Sequence, residues 1–405
     1  MQIVKRTYYN ITGQLASPLH IGSGHDTNTT MDVMRNYKGE PFMPGTALAG
    51  ALRHWLGNNS ELFGAAMAAE NDFRQSRIFV SDVTFADCNV VVRDHVKLDN
   101  KVAQPQAKFT VEVLPTGTSF TMRFEIIARE KDKQPDDASA MQKLLTALYS
   151  GELTLGGKTS RGYGKVKLTQ VEKQVFDYPR DSLVWLDWDW DRFEKVELPS
   201  ITTQMSYLSL ELAIKDTLVI RDVRQTEYAH SPLQMGGTPV IPGTTWAGAF
   251  RQRLTTILQQ LPSANTSVVQ QLFGDKHGDG SASLLRFEES SIVDSTFIKY
   301  TRNAIDRFSG ATMDGALFTG ESLCGGNTTL TIRWHKTELL DCDVIRGLLY
   351  WVIRDMNEGL LAIGGETAIG RGLLTVKTAL EDEVKYCKAA MDYMKGARVN
   401  EARSD

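Results

Sequence analysis

Polar and apolar residues alternate over residues 7–15, with Tyr9, Ile11 and Leu15 on one face, and again through Leu208, Leu210, Leu212 and Ile214. A period of two predicts a strand near the start of each half of the chain. Further on the period changes. Met141, Leu144, Leu145 and Leu148 fall at i, i+3, i+4 and i+7, as do Ile345, Leu348, Leu349 and Val352. That spacing predicts an amphipathic helix in each half. Each helix leads into a glycine-rich loop, Leu155-Gly156-Gly157-Lys158-Thr159-Ser160-Arg161-Gly162-Tyr163-Gly164 and Ile363-Gly364-Gly365-Glu366-Thr367-Ala368-Ile369-Gly370-Arg371-Gly372, whose four glycines coincide without a gap. Helix, glycine loop, strand reverses the order of a P-loop or dinucleotide fingerprint, where glycines follow a strand and open a helix. A nucleotide-cofactor fold is therefore disfavoured.

Other landmarks recur in the same order. Pro44-Gly45-Thr46, where Thr46 is expected to cap the helix that begins there, opens a motif closed by Arg53; it returns as Pro242-Gly243-Thr244 with Arg251, and Leu62-Phe63-Gly64 returns as Leu272-Phe273-Gly274. A basic, irregular insert at 93–112 returns at 302–321, aligning Val96 with Ile305, Ala107 with Ala316, Phe109 with Phe318 and Thr110 with Thr319. Ordered recurrence of this kind means a duplicated domain. The boundaries follow: residues 1–172, a linker at 173–205, residues 206–378, and a C-terminal helix with a polar tail at 379–405. Strands are also expected near residues 78–80 and 119–127. The strand–helix–strand, strand–helix–strand order in each half predicts an α+β fold of two tandem ferredoxin-like units, four antiparallel strands with two helices on one face. In the linker, Trp185, Trp188 and Trp190 alternate with Asp187, Asp189 and Asp191. A base-stacking platform there would be opposed by the carboxylates, so the indoles are expected to pack on a domain.

Composition narrows the class further. Of 405 residues, 42% are hydrophobic and 23% charged, ordinary for a globular protein. No run approaches a membrane span, and the first residues lack the apolar core of a signal peptide. The four cysteines (Cys88, Cys324, Cys342, Cys387) form no CxxC pair, which points to a reducing cytoplasm and away from structural zinc. A net charge of −4 does not describe a free-standing nucleic-acid binder. Any such role must rest on local basic patches or on an assembly that shares the electrostatics.

The first strand, polar loop, Pro-Gly-Thr helix start, basic insert and late Gly-Gly-x-x-Ser-Arg-Gly-Tyr-Gly-Lys loop resemble the RAMP superfamily of CRISPR-associated proteins. The resemblance spans about 1–172 and 206–378, and each half is similar to a backbone subunit of type III effector complexes. It implies RRM-like units with thumb-like insertions that stack along a guide RNA (crRNA), beside a target RNA and other RAMP-type subunits. The RNA backbone would be gripped by Thr46, Arg53, Gly156, Gly157, Lys158, Ser160, Arg161, Gly162 and Gly164 in the first half. Thr244, Arg251, Gly364, Gly365, Gly370, Arg371 and Gly372 would do so in the second. The inserts, with Arg93, Val96, Lys97 and Lys101 and with Arg302, Ile305 and Arg307, would be the thumbs that wedge into the guide–target duplex. Backbone N–H groups and arginines suit phosphates without reading sequence, which in such complexes is read by base pairing.

Some family members cut target RNA with a loop aspartate and a divalent metal such as Mg2+. Asp32 lies twelve residues before Pro44 and Asp26 eighteen before it. Asp32 is preferred, because Val33-Met34-Arg35 matches the apolar-then-basic run that follows the family's acid, with a solvated loop aspartate as the alternative. The position twelve before Pro242 is His230, so at most one cleavage centre is expected, in the first half. A competing assignment is a RAMP-fold endoribonuclease that processes precursor guide RNA. The paired inserts favour the scaffold. A small-molecule enzyme is disfavoured by the lack of a coherent catalytic cluster.

Overall fold

The computed structural model describes residues 2–24, 29–64, 75–86, 88–99, 102–130, 132, 137–187, 189, 192–197, 205–222, 230–261, 266–275 and 281–401. The chain divides into two compact units: Met1–Arg93 with Phe109–Thr159 and Tyr163–Thr203, and Asp94–Lys108 with Ser160–Gly162 and Gln204–Asp405.

In the first unit β1 (Ile3–Leu15), α1 (Gly45–Trp55), β2 (Val83–Ala86), β3 (Ser119–Arg129), α2 (Asp137–Ser150) and β4 (Val166–Asp177) follow one another in sequence. The sheet has seven strands, and its central four run β2-β3-β1-β4 with antiparallel neighbours, the ferredoxin-like order; Phe42–Met43, Ile78–Val80 and Glu194–Lys195 extend it beyond the four strands expected. Register places Ile11 opposite both Met122 and Val171, so the apolar face is continuous across three strands. Against it pack Leu48 and Leu52 of α1 and Met141, Leu144, Leu145 and Leu148 of α2, all buried in one core. The first strand starts four residues earlier than its alternation indicates, because Ile3 pairs with Arg129 and Lys5 with Asp177 beyond the buried stretch.

The second unit repeats the plan with β5 (Met205–Ile214), α3 (Gly243–Gln260), β6 (Ser290–Val293), β7 (Asn327–His335), α4 (Cys342–Asn357) and β8 (Leu374–Val376), in the sheet order β6-β7-β5-β8. Leu208, Leu210, Leu212 and Ile214 are buried, as are Ile345, Leu348, Leu349 and Val352 of α4. A last helix, α5 (Glu383–Glu401), packs on α4, where a side chain at Gly347 would strike the Tyr386 carbonyl. It continues past Ala397, where the sequence predicts a polar tail. Residues 402–405 lie outside the described residues.

Much of the stretch assigned to a linker belongs to the first unit. β4 extends to Asp177, and Glu194–Lys195 adds a short strand at its edge through Glu172 and Lys173. Between them a turn of helix, Ser182–Leu186, presents Trp185, whose indole N–H donates to the Tyr8 hydroxyl at 3.0 Å while Arg6 lies 5.2 Å over its ring. This indole packs on a domain as expected. Trp188, Trp190 and Asp191 fall outside the described residues. Among the described residues no helix is long and apolar enough to cross a membrane.

Candidate nucleic-acid interface

The two glycine loops are built on the same hydrogen bonds. The Gly157 N–H donates to the His20 carbonyl and the Gly365 N–H to the Val219 carbonyl, both at 2.8 Å. Gly164 and Gly372 donate to Pro18 and Thr217 at 2.8 and 2.7 Å, and their carbonyls accept from Leu155 and Ile363 at 2.8 and 2.9 Å. Gly164 (φ 81°) and Gly372 (φ 80°) must be glycine, because a Cβ would overlap the carbonyls of Leu155 and Ile363. Each loop is thus closed on itself and pinned to the chain just after its unit's first strand. Arg161 ends a 3-10 turn (Thr159–Arg161) that has its counterpart at Thr367–Ile369.

The inserts are regular hairpins rather than irregular loops. Strands Val91–Asp99 and Val102–Val113 form the first, Thr296–Ile305 and Thr312–Cys324 the second. The second is apolar yet open to solvent: Ile305 is 62% exposed, Leu317 66%, and Phe308 fully exposed at the tip. The turn carrying Phe308 is held by the Asp306 carboxylate, which accepts from the backbone of Phe308 and Ser309 and from the Ser309 hydroxyl; these bonds hold its carboxyl below the usual range. In the first hairpin Val96 is exposed, whereas Arg93 is buried 5.8 Å over the Tyr163 ring. The Lys97 side chain and all of Lys101 lie outside the described residues. Arg307 is exposed.

The Pro-Gly-Thr starts are close approaches rather than threonine caps. Pro44 and Pro242 are the N-cap residues and neither makes a side-chain cap, so the expected Thr46 cap is absent. The Gly45 N–H donates instead to Asp82 Oδ1 at 2.7 Å, and Cβ atoms at Gly45 and Gly243 would strike the carbonyls of Val80 and Phe287. Thr46 and Arg251 are exposed, Thr244 and Arg53 half-buried.

Asp32 is 5% exposed, and its Oδ1 accepts from both the N–H and the hydroxyl of Thr29 at 2.8 Å. The carboxylate therefore shapes its own loop. That loop is fixed to the first hairpin by Arg35, which forks onto Glu112 at 2.7 and 3.1 Å while the Val33 N–H donates to the same carboxylate at 2.9 Å. The bonds to Glu112 hold the Arg35 guanidinium pKa above its ordinary value. Asp26 lies outside the described residues. Backbone register corrects one equivalence. Glu112 N–H donates to the Met31 carbonyl and Glu321 N–H to the His230 carbonyl, so His230 stands where Met31 does and Ser231 where Asp32 does. Counting back from the prolines missed a one-residue difference between the loops.

One cluster escaped the sequence reading. The Glu366 carboxylate lies 2.9 Å from Arg371 Nε, 3.0 Å from Arg302 and 3.8 Å from Arg221, and accepts from the Tyr300 hydroxyl at 3.0 Å. His230 bonds Tyr300 and stands 3.8 Å from the same carboxylate. Arg371 stacks 4.0 Å over Tyr300 and bonds Ser322. Burial alone would raise the Glu366 carboxyl, but Tyr300, Arg302 and Arg371 hold it below the usual range. Burial pushes His230 down, and His20 of the first unit likewise. The sequence singles out Arg371, Arg302 and His230 separately, but no spacing brings them together around Glu366. Among the described residues no group of three or more His, Cys, Asp or Glu is placed to hold a metal ion.

The family profile of the RAMP superfamily matches residues 13–167 and 215–375, one region for each unit. No curated protein matches the chain.

Proposed function

The chain belongs to the RAMP superfamily, whose role is CRISPR-associated and RNA-binding, and from that premise we propose that it is a guide-RNA-binding backbone subunit of a type III effector complex, with two backbone units in tandem. The observation that carries this reading is the duplicated pairing of a closed glycine loop with a long hairpin rooted beside it. In the first loop Lys158 and Arg161 supply positive charge next to backbone that reads no sequence, which suits a phosphodiester chain. The exposed Ile305, Phe308 and Leu317 suit a hairpin that lies against bases rather than water. Guide RNA, target RNA and neighbouring RAMP-type subunits are the partners in this reading, and it acts in the cytoplasm.

Target cleavage finds no support in the surroundings of Asp32. Its carboxylate is buried, and its Oδ1 accepts from the N–H and hydroxyl of Thr29, which supports a part in holding the loop. In our proposal Asp32 shapes the loop.

The test is to isolate the assembled complex and sequence its RNA. A uniform short guide with a repeat-derived end supports the scaffold. Turnover of precursor RNA by the isolated chain would replace it with the processing enzyme. Arg161→Glu should weaken guide retention and reduce the slope of log affinity against log salt by about 0.7, as for one lost phosphate contact on a single strand. An unchanged slope removes Arg161 from the interface.

A further inference from the structure

We infer that Glu366 is a built-in occupant of the second loop's anion site, so that the first loop, carrying Lys158, takes an RNA phosphate and the second does not. This rests on the RNA-binding reading above.

The two positions are the same place in the same frame. Each follows the glycine whose N–H binds a carbonyl five residues past the first strand, His20 or Val219, and both are left-handed non-glycine residues, Lys158 at φ 61° and Glu366 at φ 58°. Lys158 Nζ reaches the Met31 sulfur at 3.1 Å and lies 5.4 Å over Phe109. Glu366 reaches His230, the residue equivalent to Met31. The sign of the charge at this position is reversed.

What surrounds Glu366 is a recognition set for phosphate. Guanidiniums of Arg221, Arg302 and Arg371 and the Tyr300 hydroxyl converge on two carboxylate oxygens. Arginine forks and a phenol serve a phosphate oxygen as well as a carboxylate. The tethered carboxylate holds the site without any cost of association, so a mobile phosphate competes poorly. The site is not sealed: the side chains of Arg221 and Arg302 remain 51% and 39% exposed, while Glu366 and Arg371 are 13% and 11% exposed. Three guanidiniums against one carboxylate leave positive charge in excess, and neutralising the acid would release the whole set to a ligand.

The experiment measures binding of the full-length chain to a fluorescent single-stranded oligouridylate across a potassium chloride series. Glu366→Gln should tighten binding about tenfold near 0.1 M salt and steepen the salt slope by about 0.7, one added phosphate contact. Lys158→Glu should weaken and flatten it by similar amounts. Arg221→Ala in the native background should leave the slope unchanged, which needs no variant at Glu366 to fold. A flattened slope for Arg221→Ala, or a folded Glu366→Gln chain with no gain, overturns the inference. Unchanged binding in Lys158→Glu instead overturns the RNA-binding reading of the first loop.

Discussion

Replacing Arg35 with alanine tests how the loop before α1 is joined to the first hairpin. The change removes two bonds, at 2.7 and 3.1 Å, from a Glu112 side chain that is 7% exposed, leaving it only the Val33 N–H. Stripping one partner from a fully buried pair costs about 3–5 kcal/mol. The Arg35 side chain is 30% exposed, so water can reach the stranded carboxylate, and the expected loss falls to about 2–3 kcal/mol. With a slope of about 2–3 kcal/mol/M for a unit of this size, the urea midpoint of the first unit should drop by about 1 M. Amide exchange of Val33 and Glu112 should quicken by about 30- to 150-fold, the same free energy as a ratio. Arg35→Lys, a point charge without the fork, should lose about half as much. Protection unchanged at both amides, with a stability loss below about 0.5 kcal/mol, would show that the fork holds nothing together.

Asp32→Ala should speed exchange at Thr29 and leave guide binding within about twofold, since many phosphate contacts lie elsewhere; loss of a target cut with unchanged exchange would make the carboxylate catalytic instead. Gly164→Ala and Gly372→Ala should each cost about 2–4 kcal/mol from positive φ and overlap, whereas Gly50→Ala, with no atom near its Cβ, should gain about 0.5–1 kcal/mol; equal effects at the three sites in denaturant melts would refute the geometry. His230 and His20 have folded pKa values below the ordinary 6.5, so the unfolded chain binds more protons below that pH. Stability should be full above it and fall as pH drops through 6.5 toward the lowered values. Thermal melts of His230→Gln should show a smaller loss between pH 7.5 and about 5.5, and a loss equal to that of the native chain would clear His230.

The duplication was legible because it rests on local constraints. Gly156, Gly164, Gly364, Gly372 and the two Pro-Gly starts mark places where backbone passes backbone, and such places leave a residue-type signature at fixed spacing. The sheet order was legible because buried alternation and helical stripes report the face each element turns inward. Features decided by tertiary partners were not legible. Asp82 takes the N–H beside the expected Thr46 cap from 37 positions away. The Glu366 cluster needs residues 221, 230, 300–302 and 371 at one point, and no spacing rule links them. Charged ends hid the extension of β1, since Lys5 and Arg6 pair as strand while breaking the alternation.

The exchange of ring and guanidinium between the units bears on how they can be recombined. In the first, the loop offers the Tyr163 ring and the hairpin offers Arg93; in the second, the loop offers Arg371 and the hairpin offers Tyr300. A graft of residues 155–164 alone into the second unit would set tyrosine against tyrosine and put a lysine among arginines that Glu366 now balances. Loop and hairpin are therefore one heritable module. A chimera that moves both should fold where a chimera that moves either alone fails.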